Sequence, residues 1–136
     1  MYVTRTPMLQ NNFSQYNKQM EDSYSKIFSE KQRVMFVFAH PDDAEIYCGG
    51  LIARLAGDGK QVKLIKMTTG NKGSRSEIIS EADLAKTRES EDAQALKVLG
   101  LNDADSLNLN LGDGEIETNL ETIGKVVKEI RKFNPD

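Results

Sequence analysis

The chain of 136 residues has the length of one domain, and its composition excludes several classes of protein. Apolar residues make up 38% and charged residues 29%, and the formal net charge is -3, so the basic excess that phosphate-backbone binding needs is missing. The single cysteine, Cys48, excludes an intramolecular disulfide framework. We therefore expect a soluble globular protein that does not bind nucleic acid.

The sequence shows no pattern of a membrane-spanning or secreted protein. No apolar run approaches the ~20 residues of a membrane span. Residues 1–30 are rich in Asn, Gln and Ser, whereas a secretory signal needs an apolar stretch. Together with the lone thiol, these features predict a cytoplasmic protein.

The first predicted element is an amphipathic helix within an N-terminal extension, residues 1–32. Its opposite face mixes acidic and basic side chains, whereas a membrane-surface helix is enriched in Lys and Arg. We expect this helix to pack on the rest of the chain or on a second copy in a homo-oligomer. Apolar residues recur at helical spacing along its other face: Phe13, Tyr16, Met20, Tyr24, Ile27 and Phe28.

From Arg33 onward, strands and helices alternate. Residues 34–38 (VMFVF) form a near-continuous apolar run, typical of a strand buried on both faces of a parallel sheet. Alternation predicts further strands at 61–67 (QVKLIKM) and 106–111 (SLNLNL). This order predicts an α/β domain over residues 33–136, with a Rossmann-like parallel sheet and flanking helices.

Three helices are expected to lie between and after these strands. The first covers residues 44–56 and stops at a Gly-Asp-Gly sequence. The second has Ser80 as its cap and ends at Gly100, and the third begins near Asn119 and ends before Pro135.

The segment most informative about function is AHPDDAEIYCGG, residues 39–50, where the first strand gives way to the first helix. In an open α/β sheet, ligands bind at that end of the strands. His40 and Asp43 offer an imidazole nitrogen and a carboxylate oxygen, both known zinc ligands, on a turn stiffened by Pro41. Asp42, between them, would act as a general base towards water from within hydrogen-bond distance.

A purely structural interpretation of the same residues is open. Asp and Pro are frequent at helix N-termini because they cap and pre-set the first turn. One His beside two Asp residues is, in an arbitrary sequence, more often without a catalytic role. The spacing alone therefore indicates a metal site without deciding it.

The whole segment resembles the HPDD signature of the LmbE-like, or PIG-L, family of zinc-dependent N-deacetylases, and the resemblance covers residues 33–136. It corresponds to the N-terminal half of the family's domain, and it implies that His40 and Asp43 are zinc ligands and Asp42 is the general base. Small residues at matching positions would let the first helix pack closely on the sheet. The matching positions that we interpret as structural are Glu45, Gly49 and Gly50.

Three later segments extend the resemblance. Residues 69–74 (TGNKGS) are similar to the family's loop after the second strand, except that Asn71 stands where Glu is usual, which leaves the role of that carboxylate open. Arg88 lies in a segment similar to the family's R-x-x-E helix, which implies contact with a polar substrate; an ion pair on the helix surface is the structural alternative. Asp113, in a Gly-Asp-Gly sequence, matches a family loop near the pocket, which also implies substrate contact; ordinary turn chemistry is the alternative.

The resemblance also shows what this sequence lacks. The family's third zinc ligand is a histidine from a later segment, whereas this chain contains one histidine in total. Since catalytic zinc sites use three protein ligands plus water, we expect that the polypeptide as given is not a competent hydrolase by itself. Either it is a piece of a longer protein, or a neighbouring subunit completes the site.

The function implied by the resemblance is zinc-dependent removal of an N-acetyl group from a GlcNAc-type sugar conjugate. The expected cofactor is zinc, and the expected partner is a small acetylated amino sugar. Two alternatives are open: a non-catalytic remnant of the fold that binds metal or carbohydrate, and a family member with hydratase or lyase activity.

Overall fold

A computed structural model describes residues 23–74 and 78–136. The chain divides into two units, Met1–Lys31 and Gln32–Asp136. In the first unit, residues 23–28 are helical, and the ring centroids of Tyr24 and Phe28 lie 5.3 Å apart. The packing of the predicted helix and the domain boundary at residue 32 stay predictions. Three residues of its predicted apolar face lie outside the described residues: Phe13, Tyr16 and Met20.

The second unit has the predicted α/β architecture. Its strands are β1 (Arg33–Phe38), β2 (Gln61–Thr68) and β3 (Ser106–Leu111), which are parallel and lie in the order β1-β2-β3. The helices are α1 (Asp43–Gly57), α2 (Glu81–Val98) and α3 (Leu120–Phe133), and a short 3-10 helix, Asp103–Asp105, precedes β3. The Rossmann-like fold class is therefore confirmed.

Polar side chains define the starts of two of these helices. The Ser80 hydroxyl accepts a hydrogen bond from the Asp83 amide at 3.1 Å, and Asn119 Oδ1 accepts one from the Thr122 amide at 2.9 Å. Both residues satisfy amides that have no partner in the first turn. Asp42 occupies the same position before α1 but makes no side-chain capping bond, so its carboxylate is available for other contacts.

The apolar core lies between the central strand and the helices that cover it. β2 is the most buried strand, and α1 contacts both β1 and β2. Burial of these side chains supplies the main favourable free energy of folding. The buried apolar residues are Ala44, Ile52, Leu55, Val62, Leu64, Ile65, Leu96, Leu99 and Leu101.

The structure corrects two sequence-based expectations. The apolar run in β1 predicts burial on both faces, but β1 lies at the edge of the three described strands, and Val37 is 44% exposed. Glycine is not required for close packing of α1. A Cβ atom at Gly49 would make an ordinary 3.8 Å contact with Leu99, and one at Gly50 would meet nothing within 4 Å.

Within the described ranges, 23–74 and 78–136, no helix is both long and apolar enough to cross a membrane. The cytoplasmic location and the homo-oligomer stay predictions.

Candidate metal and substrate site

The turn after β1 brings His40 and Asp43 together. The His40 backbone N–H donates a 2.9 Å hydrogen bond to Asp43 Oδ2, and the ring Nδ1 lies 3.7 Å from the same oxygen. The Asp43 side chain is 19% exposed and that of His40 is 41% exposed, so a ligand from solvent can reach the pair. The backbone bond holds the carboxylate beside the imidazole before any ligand binds.

Asp42 lies on the same turn but faces a different partner. Its Oδ2 atom accepts a 3.3 Å hydrogen bond from Arg88 Nη1, and its side chain is 55% exposed. The turn therefore separates one carboxylate, which faces solvent and an arginine, from a second that lies beside the imidazole. This separation is what a base and a ligand on adjacent residues require.

Arg88 is held by the loop after β2. The guanidinium packs against two glycines of that loop, where an added Cβ would come within 3.1 Å of the side chain at Gly70 and 2.6 Å at Gly73. A Cβ at Gly73 would force the guanidinium to shift, and one at Gly70 would make a tight contact with it. The structure thus pairs Arg88 with Asp42 across the fold. Arg88 forms its ion pair with Asp42 of the first turn, whereas Asp92, four residues further along the helix of Arg88, is paired with Lys66.

Asp113 meets His40 from the other side. Asp113 Oδ1 lies 3.0 Å from His40 Nε2, and the Asp113 side chain is only 14% exposed. The two residues follow β3 and β1, the outer strands of the described sheet, so the loop after β3 crosses the end of β2. Asp113 sits in a four-residue turn closed by a 3.0 Å bond from the Glu115 amide to the Gly112 carbonyl.

A β-bulge explains how this loop reaches the first turn. Lys66 pairs with Asn108 and Thr68 with Leu111, so β3 carries one residue more than β2 over this stretch. The extra residue bends the strand and redirects the chain beyond it. Asn110, at the bulge, has a left-handed φ of 53° and donates its amide to Asn108 Oδ1 at 2.8 Å.

Two further contacts tie the loops together. The Thr68 hydroxyl donates to the Ala39 carbonyl at 3.1 Å and accepts from the Gly70 amide at 3.1 Å, which joins the first and second loops. Lys72 of the second loop forms an ion pair with Glu115 of the third, and this contact raises the pKa of Lys72. Asn71 of the second loop donates its side-chain amide to Glu81 Oε2 at 2.5 Å.

Beneath the loops lies a polar group that the sequence analysis missed. Lys66 is 1% exposed, forms an ion pair with Asp92 and donates to Ser106 Oγ at 3.0 Å. A signal was available, because Lys66 is in phase with Val62 and Leu64 on the apolar face of β2. Nearby, both carboxylate oxygens of Glu45 are buried without a hydrogen-bond partner, and burial raises the pKa of Glu45.

Two cavities open beside these residues. One of about 300 Å³ lies between α1 and α2, and one of about 480 Å³ lies between α2 and the end of β3. Pro41 and Asp92 border both cavities. The smaller one also contacts Asp42, Glu45, Thr87, Arg88 and Glu91.

The donor pair fits part of a zinc site. Two ligands of a tetrahedral zinc, each ~2.1 Å from the ion, lie about 3.4 Å apart, close to the 3.7 Å between His40 Nδ1 and Asp43 Oδ2. Within residues 23–74 and 78–136, no group of three or more His, Cys, Asp or Glu side chains is placed to hold a metal ion. The described residues therefore offer two donors of the three that a catalytic site uses.

Comparison with known proteins places this arrangement in a family. Residues 35–136 match the PIG-L family model, described as GlcNAc-PI de-N-acetylase. A diacetylchitobiose deacetylase from Thermococcus kodakarensis is 28% identical over 123 residues, covering 90% of this chain and 45% of that protein. A 1D-myo-inositol 2-acetamido-2-deoxy-alpha-D-glucopyranoside deacetylase from Segniliparus rotundus is 49% identical over 45 residues, covering 33% of this chain and 14% of that protein.

Structural comparison agrees. The N,N'-diacetylchitobiose deacetylase from Pyrococcus horikoshii superimposes with a TM-score of 0.78 and 28% identity, covering all of this chain and 50% of that one. The chain spans about half the length of the relatives that it matches over most of its own length. With a family match over residues 35–136, the chain belongs to the PIG-L family of GlcNAc-PI de-N-acetylase-like proteins.

Proposed function

We propose that the protein containing this chain is a zinc-dependent N-deacetylase that hydrolyses the N-acetyl group of a GlcNAc-type sugar conjugate. The observation that carries the proposal is the division of labour on the first turn. His40 Nδ1 and Asp43 Oδ2 lie side by side, whereas Asp42 faces solvent and Arg88. Family membership and the deacetylases among the relatives support the reaction type.

In this proposal His40 and Asp43 hold the metal. A bound zinc ion supplies Lewis acidity, which polarises a carbonyl oxygen and makes water more acidic. Asp42 takes a proton from the water that attacks the acetyl carbonyl, and Arg88 keeps the Asp42 carboxylate in position. Asp42 then passes that proton to the amide nitrogen as the C–N bond breaks, and acetate and the free amino sugar are the products.

The cavity beside Asp42 is the proposed entry for the sugar. Its volume of about 300 Å³ is at the lower end for small-molecule pockets, and it is bordered by Thr87, Arg88 and Glu91, which can hydrogen-bond sugar hydroxyls. The relatives named above act, by their names, on N-acetylated amino sugars. A substrate contact by Arg88 therefore stays part of the proposal.

Zinc calorimetry on an active protein that carries this sequence, and on its variants, tests the metal part. We expect His40→Ala to abolish stoichiometric zinc binding, because it removes one of two adjacent donors. Asp42→Asn is the matched control, since it changes a carboxylate on the same turn that faces Arg88 instead. Equal zinc affinity in His40→Ala and the unsubstituted chain would contradict the proposed ligand pair.

Acetate release from N,N'-diacetylchitobiose tests the reaction. In an active protein that carries this sequence, Asp42→Asn should lower the rate by ~10²–10⁴-fold while leaving zinc binding intact. Sugar or zinc binding without acetate release would favour the non-catalytic alternative, and water addition to an unsaturated acid would favour the hydratase. Turnover by the isolated 136-residue chain would contradict the expectation that it is not competent alone.

A further inference from the structure

We propose that Asn108 is a positioning residue that fixes the β-bulge of β3 and thereby sets the place of Asp113 at the site. The inference rests on the proposed function, in which Asp113 has the substrate contact that the family resemblance implies. It is carried by two hydrogen bonds of one carboxamide. Asn108 Nδ2 donates to the Thr68 carbonyl at 2.7 Å, and Asn108 Oδ1 accepts from the Asn110 amide at 2.8 Å.

The two partners of Asn108 dictate the orientation of its carboxamide. A carbonyl oxygen can only accept and a backbone N–H can only donate, so the side-chain nitrogen must face Thr68 and the oxygen must face Asn110. Aspartate at this position would lose the donor, and leucine, which has a similar shape, would lose both groups. Each half of the interaction can therefore be removed separately.

The bond to Asn110 acts where β3 departs from regular pairing. Lys66 pairs with Asn108 and Thr68 with Leu111, which leaves one extra residue in β3. The extra residue of a bulge is left unpaired by the neighbouring strand. Asn110 has a left-handed φ of 53°, and the oxygen of Asn108 binds its amide from two residues away. This side chain thus holds the bulge in one conformation and also ties it to the carboxyl end of β2.

The bulge sets the direction from which Asp113 approaches the site. Asp113 follows Asn110 by three residues, and its Oδ1 atom lies 3.0 Å from His40 Nε2. An ion pair between Lys72 and Glu115 holds the far side of the same turn. Asn108 holds the near side. Because hydrogen bonds weaken steeply with distance and angle, a substrate contact through Asp113 depends on this placement.

The exposure of the bulge favours positioning over a large contribution to stability. The hydrogen bond between the Asn110 amide and Asn108 lies at the surface, where water can replace the lost acceptor. Removal of the carboxamide should therefore alter the place of the turn more than the stability of the fold. Substrate affinity is the property that we expect to change.

Acetate release from N,N'-diacetylchitobiose, by an active protein that carries this sequence, tests the inference. Asn108→Leu should raise KM by ~10-fold, the loss of about one hydrogen bond to a charged group, while kcat stays nearly unchanged. Asn108→Asp keeps the acceptor for the Asn110 amide, so its KM should lie between that of Asn108→Leu and that of the unsubstituted protein.

Leu64→Ala is the matched control, because Leu64 is fully buried in the apolar core and the substitution destabilises the fold away from the bulge. Partial loss of folded protein lowers the apparent kcat but leaves KM unchanged, so a merely structural role of Asn108 would not produce the expected rise in KM. Thermal unfolding of each variant shows that it is folded.

Hydrogen exchange supplies a second readout that needs no turnover. In Asn108→Leu the segment of residues 106–114 should exchange faster than in the unsubstituted protein, because the Asn110 amide loses its acceptor. Asn108→Asp should retain the slower exchange. Mass spectrometry of peptides from the metal-free protein measures both variants.

Three results would overturn the inference. The first is a folded Asn108→Leu variant with the KM of the unsubstituted protein, and the second is unchanged exchange of residues 106–114 in that variant. The third is an equal rise in KM in Leu64→Ala. Failure of the proposed function gives a different pattern, in which no variant and no unsubstituted protein releases acetate, while exchange of the segment still depends on Asn108.

Discussion

The two ends of the central strand β2 differ in what they bury. The amino-terminal half buries Val62 and Leu64 against the helices, as an ordinary core strand does. The carboxyl-terminal half buries Lys66 and Thr68, which are each 1% exposed. The first end is therefore held by apolar packing, which has no preferred direction. The second end is held by directional hydrogen bonds to neighbouring loops and helices.

The apolar end of β2 contributes mainly to the stability of the fold, whereas the polar end determines the positions of the loops that adjoin it. Apolar burial depends on area and tolerates small movements of its neighbours. Hydrogen bonds weaken steeply with distance and angle, so the polar end fixes where the adjoining loops lie. Three loops leave the sheet at that polar end. They carry His40, the two glycines that contact Arg88, and Asp113.

The largest expected effect comes from breaking the buried ion pair. Lys66→Met leaves the Asp92 carboxylate without its partner at 15% exposure, and we expect the free energy of unfolding to fall by about 3 kcal/mol. Leu64→Ala, at the apolar end, should cost a similar ~2–5 kcal/mol by creating a cavity. Urea denaturation measures both.

The double variant Lys66→Met with Asp92→Leu is the control for that prediction. It removes both charges, so it should recover much of the lost stability. If Lys66→Met alone is as stable as the unsubstituted chain, the polar end contributes nothing through this pair, and the comparison between the two ends fails.

Thr68→Val should have the next largest effect. It keeps the shape of the side chain but removes the donor to the Ala39 carbonyl and the acceptor for the Gly70 amide. We expect a loss of about 1–2 kcal/mol in the free energy of unfolding, because a buried amide loses its partner. Thr68→Ser, which retains the hydroxyl, should stay close to the unsubstituted chain; equal losses for Val and Ser would point to packing as the cause.

A smaller effect is expected at the glycine loop. Gly73→Ala places a Cβ 2.6 Å from Arg88 Nη2, so the flexible end of that side chain must shift, and we expect the shift to break its contact with Asp42. The stability loss should stay below about 1 kcal/mol, while a crystal structure of the variant should show the ion pair broken. Gly124→Ala in α3 meets nothing within 4 Å and should instead stabilise the helix by ~0.5–1 kcal/mol. An Arg88–Asp42 pair that survives in Gly73→Ala would contradict the proposed role of the loop.

The smallest expected effect concerns Glu45 and depends on pH. Burial raises the pKa of Glu45, while the nearby Lys66 offsets part of that shift. The folded state therefore holds this proton more tightly than the unfolded state, so the contribution to stability is present in acid and is lost as the pH rises through the raised pKa. Glu45→Gln has no titratable carboxyl group, so it should not lose stability as the pH rises.

Denaturation of the metal-free protein at several pH values tests this prediction. Glu45→Gln should be more stable than the unsubstituted chain at neutral pH, and the difference should shrink as the pH falls below the ordinary range of a glutamate. Glu129→Gln on α3 serves as the control. A difference that is independent of pH would show that the carboxylate charge is not the cause.

The sequence by itself determined the local elements and the residues of the first turn. The periodicity of apolar residues predicts all three strands of the described sheet, and the caps Ser80 and Asn119 predict the starts of two helices. These features depend on neighbouring residues along the chain, and for that reason a pattern of 2.0 or 3.6 residues reveals them. The close approach of His40 and Asp43 follows for the same reason, since the two residues share one turn.

Only the tertiary structure decided which residues meet across the fold. Arg88 reaches Asp42 over 46 positions of sequence and Asp113 reaches His40 over 73, and neither distance corresponds to a local period. These contacts depend on the strand order, on a one-residue bulge in β3 and on two glycines that admit a guanidinium. The strand order also placed β1 at an edge of the described sheet and Lys66 in its central strand. The composition of a strand makes burial possible, but its neighbours in the sheet decide whether the strand is buried.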